Sequence, residues 1–166
     1  MPFGRRGTCI LPFKTTESDM IGVIRGDALH FEALASNPRG AQTMVCAAAA
    51  QGWNGAIGVM LDEYSDYFTA DGADVKNYTP LGRAAMNGRV STIELLIDEY
   101  GAGVDVPNNA GPSFLGGGGW FDGDTALELA LGRDHVEACR ALLRRDAEDP
   151  TGEAAQLVAR WDDYSN

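Results

Sequence analysis

The chain has 166 residues, 45% of them apolar and 22% charged, which is enough for a buried core in one ordinary domain. Its 13 Lys+Arg against 24 Asp+Glu leave a net charge of −11, which argues against nucleic acid as partner because no basic stripe is available to neutralise phosphates. Cys9, Cys46 and Cys139 are too widely spaced for a disulfide framework or a zinc set, and no stretch approaches the ~20 apolar residues of a membrane span.

Residues 1–17 read as an extended N-terminal arm. Pro2, Pro12 and the glycines oppose helix, and Ile10, Leu11 and Phe13 are placed to dock on the first helical unit. The arm holds basic residues but no apolar run of signal-peptide length, so the expected location is cytoplasmic or nuclear. Charge is uneven along the chain. Residues 1–40 carry a net of +1 and the remainder −12, an acidic body that suits solubility or a basic protein or peptide partner.

Met20 to Gly26 predicts a first helix and Asp27 to Leu34 a second, with Gly26-Asp27 as the turn and Asn37-Pro38 closing the unit. Thr43-Met44-Val45-Cys46 then leads into the nearly bulk-free run Ala47 to Ala50 and on to Gly52. Ile57 through Leu61 supply a second apolar face that ends around Asp62-Glu63-Tyr64. Asp71-Gly72-Ala73-Asp74-Val75 closes that unit, with Asn77-Tyr78 at the turn tip.

The strongest stretch follows. Thr79 reads as an N-cap, Pro80 as the first helical residue, and Leu81, Ala84 and Ala85 as one apolar face. Gly88 ends that helix, because only glycine enters the left-handed cap without penalty. The next helix is expected to bury Val90, Ile93, Leu96 and Ile97 and to stop at Gly101. Two short half-apolar helices joined by a tight turn need a neighbour to stack on. This stretch resembles an ankyrin repeat, through Thr79, Pro80, Leu81, Ala84, Ala85, Gly88, Leu95, Leu96, Gly101 and Ala102. Gly82 departs from the pattern, standing where that family usually has histidine.

The pattern recurs at Thr125-Ala126-Leu127-Glu128, with Ala130-Leu131, His135, Val136, Cys139 and Leu142-Leu143 behind it. The three threonines are 36 and 46 residues apart. Against a ~33-residue period, the second spacing implies about 13 added residues. These fall in Pro107–Asp124, where Gly116–Gly119 precede Trp120 and Phe121. Asp124 is expected to cap the helix starting at Thr125. After Asp149-Pro150, Ala154, Ala155, Val158 and Trp161 form a closing helical face. The resemblance implies an all-α ankyrin-repeat solenoid with an enlarged finger loop at about 106–124. Its units are about 18–42, 43–78, 79–124 and 125–150, with a closing helix at 150–164.

Members of this family are usually non-catalytic recognition scaffolds, so the resemblance implies a protein or peptide partner on the concave finger and first-helix surface. Carried onto this sequence, the surface is Lys76, Asn77 and Tyr78 at one finger, and Arg83, Met86 and Asn87 on the following helix. Trp120, Phe121 and Asp122 in the insertion and Arg133 in the fourth unit complete it. Aromatic and arginine side chains are the usual interface anchors. Trp53 lies at a helix–helix turn and reads as structural.

The chemistry sought beside this is sparse. Gly116–Gly119 lack the Gly-Lys-Ser/Thr of a phosphate loop, and no serine elbow or His-Glu-x-x-His occurs. His30 and His135 are the two histidines, and His135 sits where the family uses one structurally. No catalytic set, metal set or cofactor is expected. The alternative is a small-molecule site or small enzyme at 111–124, with Asp122 and Asp124 as acid and base beside an aromatic wall.

Overall fold

A computed structural model describes residues 16–26, 38–108, 111–112, 120–121 and 123–164; the side chains of 111–112 and 120–121 are outside the description. The arm at 1–15, the second helix expected at 27–34 with His30, the glycine run 116–119 and Asp122 lie outside the described residues. What is described is helical apart from one small ribbon. Helix α1 is Glu17–Gly26, α2 Pro38–Gln51, and α3 Asn54–Gly58, which runs into a π-helical turn, Val59–Glu63. Then come α4 (Pro80–Met86), α5 (Val90–Asp98), α6 (Ala126–Leu131), α7 (Val136–Leu143) and α8 (Glu153–Tyr164). Between α5 and α6, strands β1 (Gly111–Pro112) and β2 (Trp120–Phe121) pair antiparallel.

The α4–α5 pair forms for the reasons its residues predict. Thr79 is extended at φ −77°, ψ 160°, and its Oγ1 accepts the Gly82 N–H at 3.0 Å. Pro80 occupies the first turn, where no N–H is needed. Gly88, at φ +63°, turns the chain so that the Arg89 N–H reaches the Ala84 carbonyl at 2.9 Å. Gly101 repeats the device at φ +63°, and the Ala102 N–H closes on Leu96 O at 2.9 Å. Ile93 and Leu96 are buried as expected, whereas Val90 and Ile97 are only half-buried.

Three expectations need correction. Helix α2 begins at Pro38, not near Thr43, because Pro38 is itself a good first-turn residue and Gly40-Ala41 carries the helix on. Thr43 is inside the helix, its Oγ1 donating to Arg39 O at 2.9 Å. Asp124 does not cap α6. Thr125 does, in a capping box with Glu128, while the Asp124 backbone pairs with Asn108. Finally, α8 starts at Glu153, after a turn in which the Asp149 carboxylate accepts the Ala155 N–H at 2.9 Å. Its packed face is Ala154, Leu157 and Val158, leaving Ala155 exposed and Trp161 52% exposed.

First helices pack in sequence, α2 on α4 and α4 on α6, and the second helices follow beside them, α3 against α5 and α5 against α7. Helix α8 closes on α7 and α6. One continuous core results, in which Ala48, Ala49, Ala84, Ala85 and Ala130 allow close helix approach and Ile57, Leu81, Ile93, Leu96, Leu127 and Leu142 fill the layers. Deleting one such leucine side chain costs about 2–5 kcal/mol. Among the described residues, the connections that lead into α4 and α6 lie at the starts of those helices, and the turns at Gly88 and at 132–135 lie one helix length away, about 12 Å.

Candidate functional site

The connecting edge holds two built fingers. In the first, the Asp74 N–H donates to Tyr78 O and the Asn77 N–H to Asp74 O, both at 2.9 Å, and Asn77 takes φ +63° at the tip. The Asp74 carboxylate, 4% exposed, organises the rest. Its Oδ1 accepts the backbone N–H groups of Lys76 (2.8 Å) and Tyr78 (3.0 Å). Its Oδ2 accepts Arg83 Nε at 2.9 Å and Nη2 at 2.5 Å. The guanidinium then lies over the Tyr78 ring, 4.2 Å from its centroid. Cys46 donates its thiol to Tyr78 O at 3.3 Å from below, and burial pushes that thiol up to about 12, so it stays protonated. The Cys46 thiol is a packing and hydrogen-bonding group, not a nucleophile.

The second finger is anchored by Asn108, a residue that belongs to no motif in the sequence. Asn108 is fully buried; its Oδ1 accepts from Thr79 N (2.7 Å) and Thr79 Oγ1 (3.0 Å), and its Nδ2 donates to Val106 O and Asp124 O, both at 3.1 Å. The Asn108 and Asp124 backbones also exchange hydrogen bonds of 2.8 and 2.9 Å. All four polar capacities of one amide thus join the two arms of the connection to the start of α4. Gly82 is the reason the amide fits: a Cβ there would come within 2.1 Å of Asn108 Oδ1. The signal available in the sequence was a glycine in the middle of a short helix, which is unfavourable unless something occupies its space.

Between the fingers and the turns runs the open face of the first helices. Positions four residues after each threonine are Ala47, Arg83 and Leu129, all half-buried, and positions eight after are Gln51, Asn87 and Arg133, all exposed. The structure therefore brings together Tyr78 and Arg83 directly, with Lys76 and Asn77 on the same finger. Asn87 follows one turn along α4, where its Nδ2 donates to Arg83 O at 2.8 Å. Met86 is different. It is buried, because α4 is flanked by α2 and α6 and only the stripe of Arg83 and Asn87 remains open. Trp120 and Phe121 lie in β2 with their side chains outside the description, and Asp122 is outside the described residues altogether.

Asp124, of the expected carboxylate pair, is half-buried, and burial together with nearby Glu128 raises its carboxyl above the usual range. His135 sits at the start of α7 with Nε2 3.2 Å from Met86 O, a contact that ties one helix–helix turn to the next. Trp53 is half-buried against the core at the equivalent turn before α3. Among the described residues no cluster of His, Cys, Asp or Glu could hold a metal ion, and no helix is long and apolar enough to cross a membrane.

The described residues are thus predominantly helical, with short helices turned by glycine at Gly88 and Gly101. The family model of the ankyrin repeat matches residues 76–106, which cover the tip of the first finger, α4 and α5. The chain carries an ankyrin repeat over those residues. A second likeness is to an O-acetyl-ADP-ribose deacetylase of Escherichia fergusonii, 45% identical over 56 residues. That stretch is 34% of this chain, and the chain spans only 30% of that protein's length.

Proposed function

We propose that the chain is a non-catalytic protein- or peptide-binding scaffold, in which units of about 18–42, 43–78, 79–124 and 125–150 form an ankyrin-repeat solenoid closed by a helix at 150–164. Its binding surface is the finger and first-helix face that includes Lys76, Asn77, Tyr78, Arg83, Asn87, Arg133 and the 111–124 insertion with Trp120, Phe121 and Asp122. The observation that carries this reading is the Asp74–Arg83–Tyr78 cluster. It spends a buried carboxylate on holding one finger and one guanidinium rigid at the open face, and rigid aromatic and arginine groups bind with little entropy loss. A cytoplasmic or nuclear setting goes with it.

Affinity capture with the full chain, compared with the Lys76→Glu/Arg133→Glu variant, tests it. Both side chains are exposed and form no ion pair among the described residues, so the variant should stay folded and lose its specific partner. Retention of every captured protein by the variant rejects this surface.

A second reading is favoured by Asp124. A carboxyl raised by burial beside a long insertion suits acid–base work on a small molecule, and the deacetylase likeness supplies a substrate to try. Incubation with O-acetyl-ADP-ribose should release acetate, and Asp124→Asn should release at least tenfold less. No release by the unsubstituted chain ends this reading.

A further inference from the structure

The edge opposite the fingers holds a cleft that the scaffold reading does not use. It has a volume of ≈ 230 Å³ and lies where the turn at Gly88 meets the start of α7 and the far end of α8, with Asp134, His135, Glu137, Ala138 and Trp161 around it. One wall is aromatic, since the Trp161 indole lines the cleft and is 52% exposed. The rim is acidic. Asp134 is held at φ +56° by the turn and makes no side-chain hydrogen bond or ion pair among the described residues. Glu137 is 59% exposed and meets only Arg140, at 3.6 Å.

Arg140, the cation that Glu137 meets, also holds Asp162, at 2.5 Å. His135 has one ring nitrogen engaged by Met86 O and the other beside Gly88, where a Cβ would come within 2.9 Å of Nδ1. The partial positive charge at the start of α7 is offset by Glu137 in its first turn. The volume is below the ~300–1,000 Å³ of sites for drug-sized ligands, which suits a single side chain. A cation is drawn to the face of tryptophan more strongly than to any other ring, and a guanidinium can stack on indole while its fork pairs with a carboxylate.

We infer that this cleft receives an arginine side chain from a basic partner segment, its guanidinium stacked on Trp161 and paired with Asp134 and Glu137. The charge complementarity is that of an acidic chain, net −11, presenting an aromatic slot rimmed by two carboxylates. The site is a helix length from the finger surface, so the two proposals stand or fall separately.

The test is a heteronuclear NMR titration of the full chain with acetyl-Gly-Arg-Gly-amide and with the same peptide carrying citrulline, which keeps the shape and removes the charge. The arginine peptide should shift the Trp161 indole N–H and the amides of Glu137 and Ala138 at millimolar concentration, with citrulline at least tenfold weaker. Asp134→Asn, which tolerates the same left-handed backbone, combined with Glu137→Gln should weaken the arginine peptide at least tenfold, and the spectrum itself reports that the fold is kept. Equal binding of the two peptides, unchanged binding by the double variant, or no shift with either peptide at millimolar concentration overturns the inference.

Discussion

At the scale of single residues, two buried polar side chains set the geometry of the fingers. Asn108→Ala strips partners from the Thr79 N–H and hydroxyl and from the Val106 carbonyl, while Asp124 O keeps the residue 108 backbone N–H, and each buried group left unsatisfied costs about 1–3 kcal/mol. Chemical denaturation should register a loss of roughly 2–3 kcal/mol. Gly82→Ala should be harmful for a different reason, the 2.1 Å approach to Asn108 Oδ1, and the two substitutions together should cost clearly less than their sum. Additive losses would mean that Asn108 and Gly82 do not share the space described. Asp74→Ala removes one side of a nearly buried ion pair and should cost about 3 kcal/mol, at the low end because water still reaches Arg83. Cys46 contributes a pH dependence. Its thiol is raised in the folded state, so its stabilising effect is complete below the unfolded thiol value and is lost as pH climbs toward about 12. Denaturant midpoints should therefore fall from about pH 9 upward, and less steeply in Cys46→Ala. The thiol's place under the finger was not readable from the sequence, because Tyr78 lies 32 residues away.

At the scale of elements, local chemistry was legible wherever it acted alone. Thr79-Pro80 starts a helix and Gly88 and Gly101 stop two, since cap, ring and left-handed glycine need no distant partner. The start of α2 is obscured in the sequence because Thr43 imitates Thr79 while Pro38 already supplies a start upstream. The ribbon of β1 and β2 leaves no mark in the sequence, since two-residue strands have no periodicity. The two stop glycines separate strain from crowding. At Gly101 nothing lies within 4 Å of an added Cβ, so Gly101→Ala should cost only the backbone term of about 1–2 kcal/mol. Gly88→Ala adds a 2.9 Å clash with His135 Nδ1 and should shift the urea midpoint further. Equal shifts would show that the His135 ring moves aside freely.

At the scale of the whole molecule, side-chain links recur between neighbouring units. Arg25 pairs with Glu63, Thr92 Oγ1 donates to Asn54 Oδ1 at 2.6 Å, and Arg145 Nε donates to Asp98 at 2.8 Å. Links of this kind stabilise neighbouring helix pairs through one another, and the helical character is legible in the sequence from the recurring threonine-led pattern. The open face was legible in part. Arg83, Asn87 and Arg133 follow from register, but Met86 does not, because how much of α4 stays open depends on helices far away in sequence. The Asn108 amide has a consequence at this scale as well. It fastens the two arms of the long connection together at residues 108 and 124, immediately before α6. A six-residue Gly/Ser insertion between 116 and 117 should lower stability by less than about 1 kcal/mol, as loop-closure entropy grows only slowly with length. A larger loss in thermal or urea unfolding would show that the clasp does not isolate it. Because the clasp is made by residues 108 and 124 alone, a lineage that kept Asn108 and Gly82 would keep the anchor of the long connection whatever sequence it came to carry between residues 108 and 124.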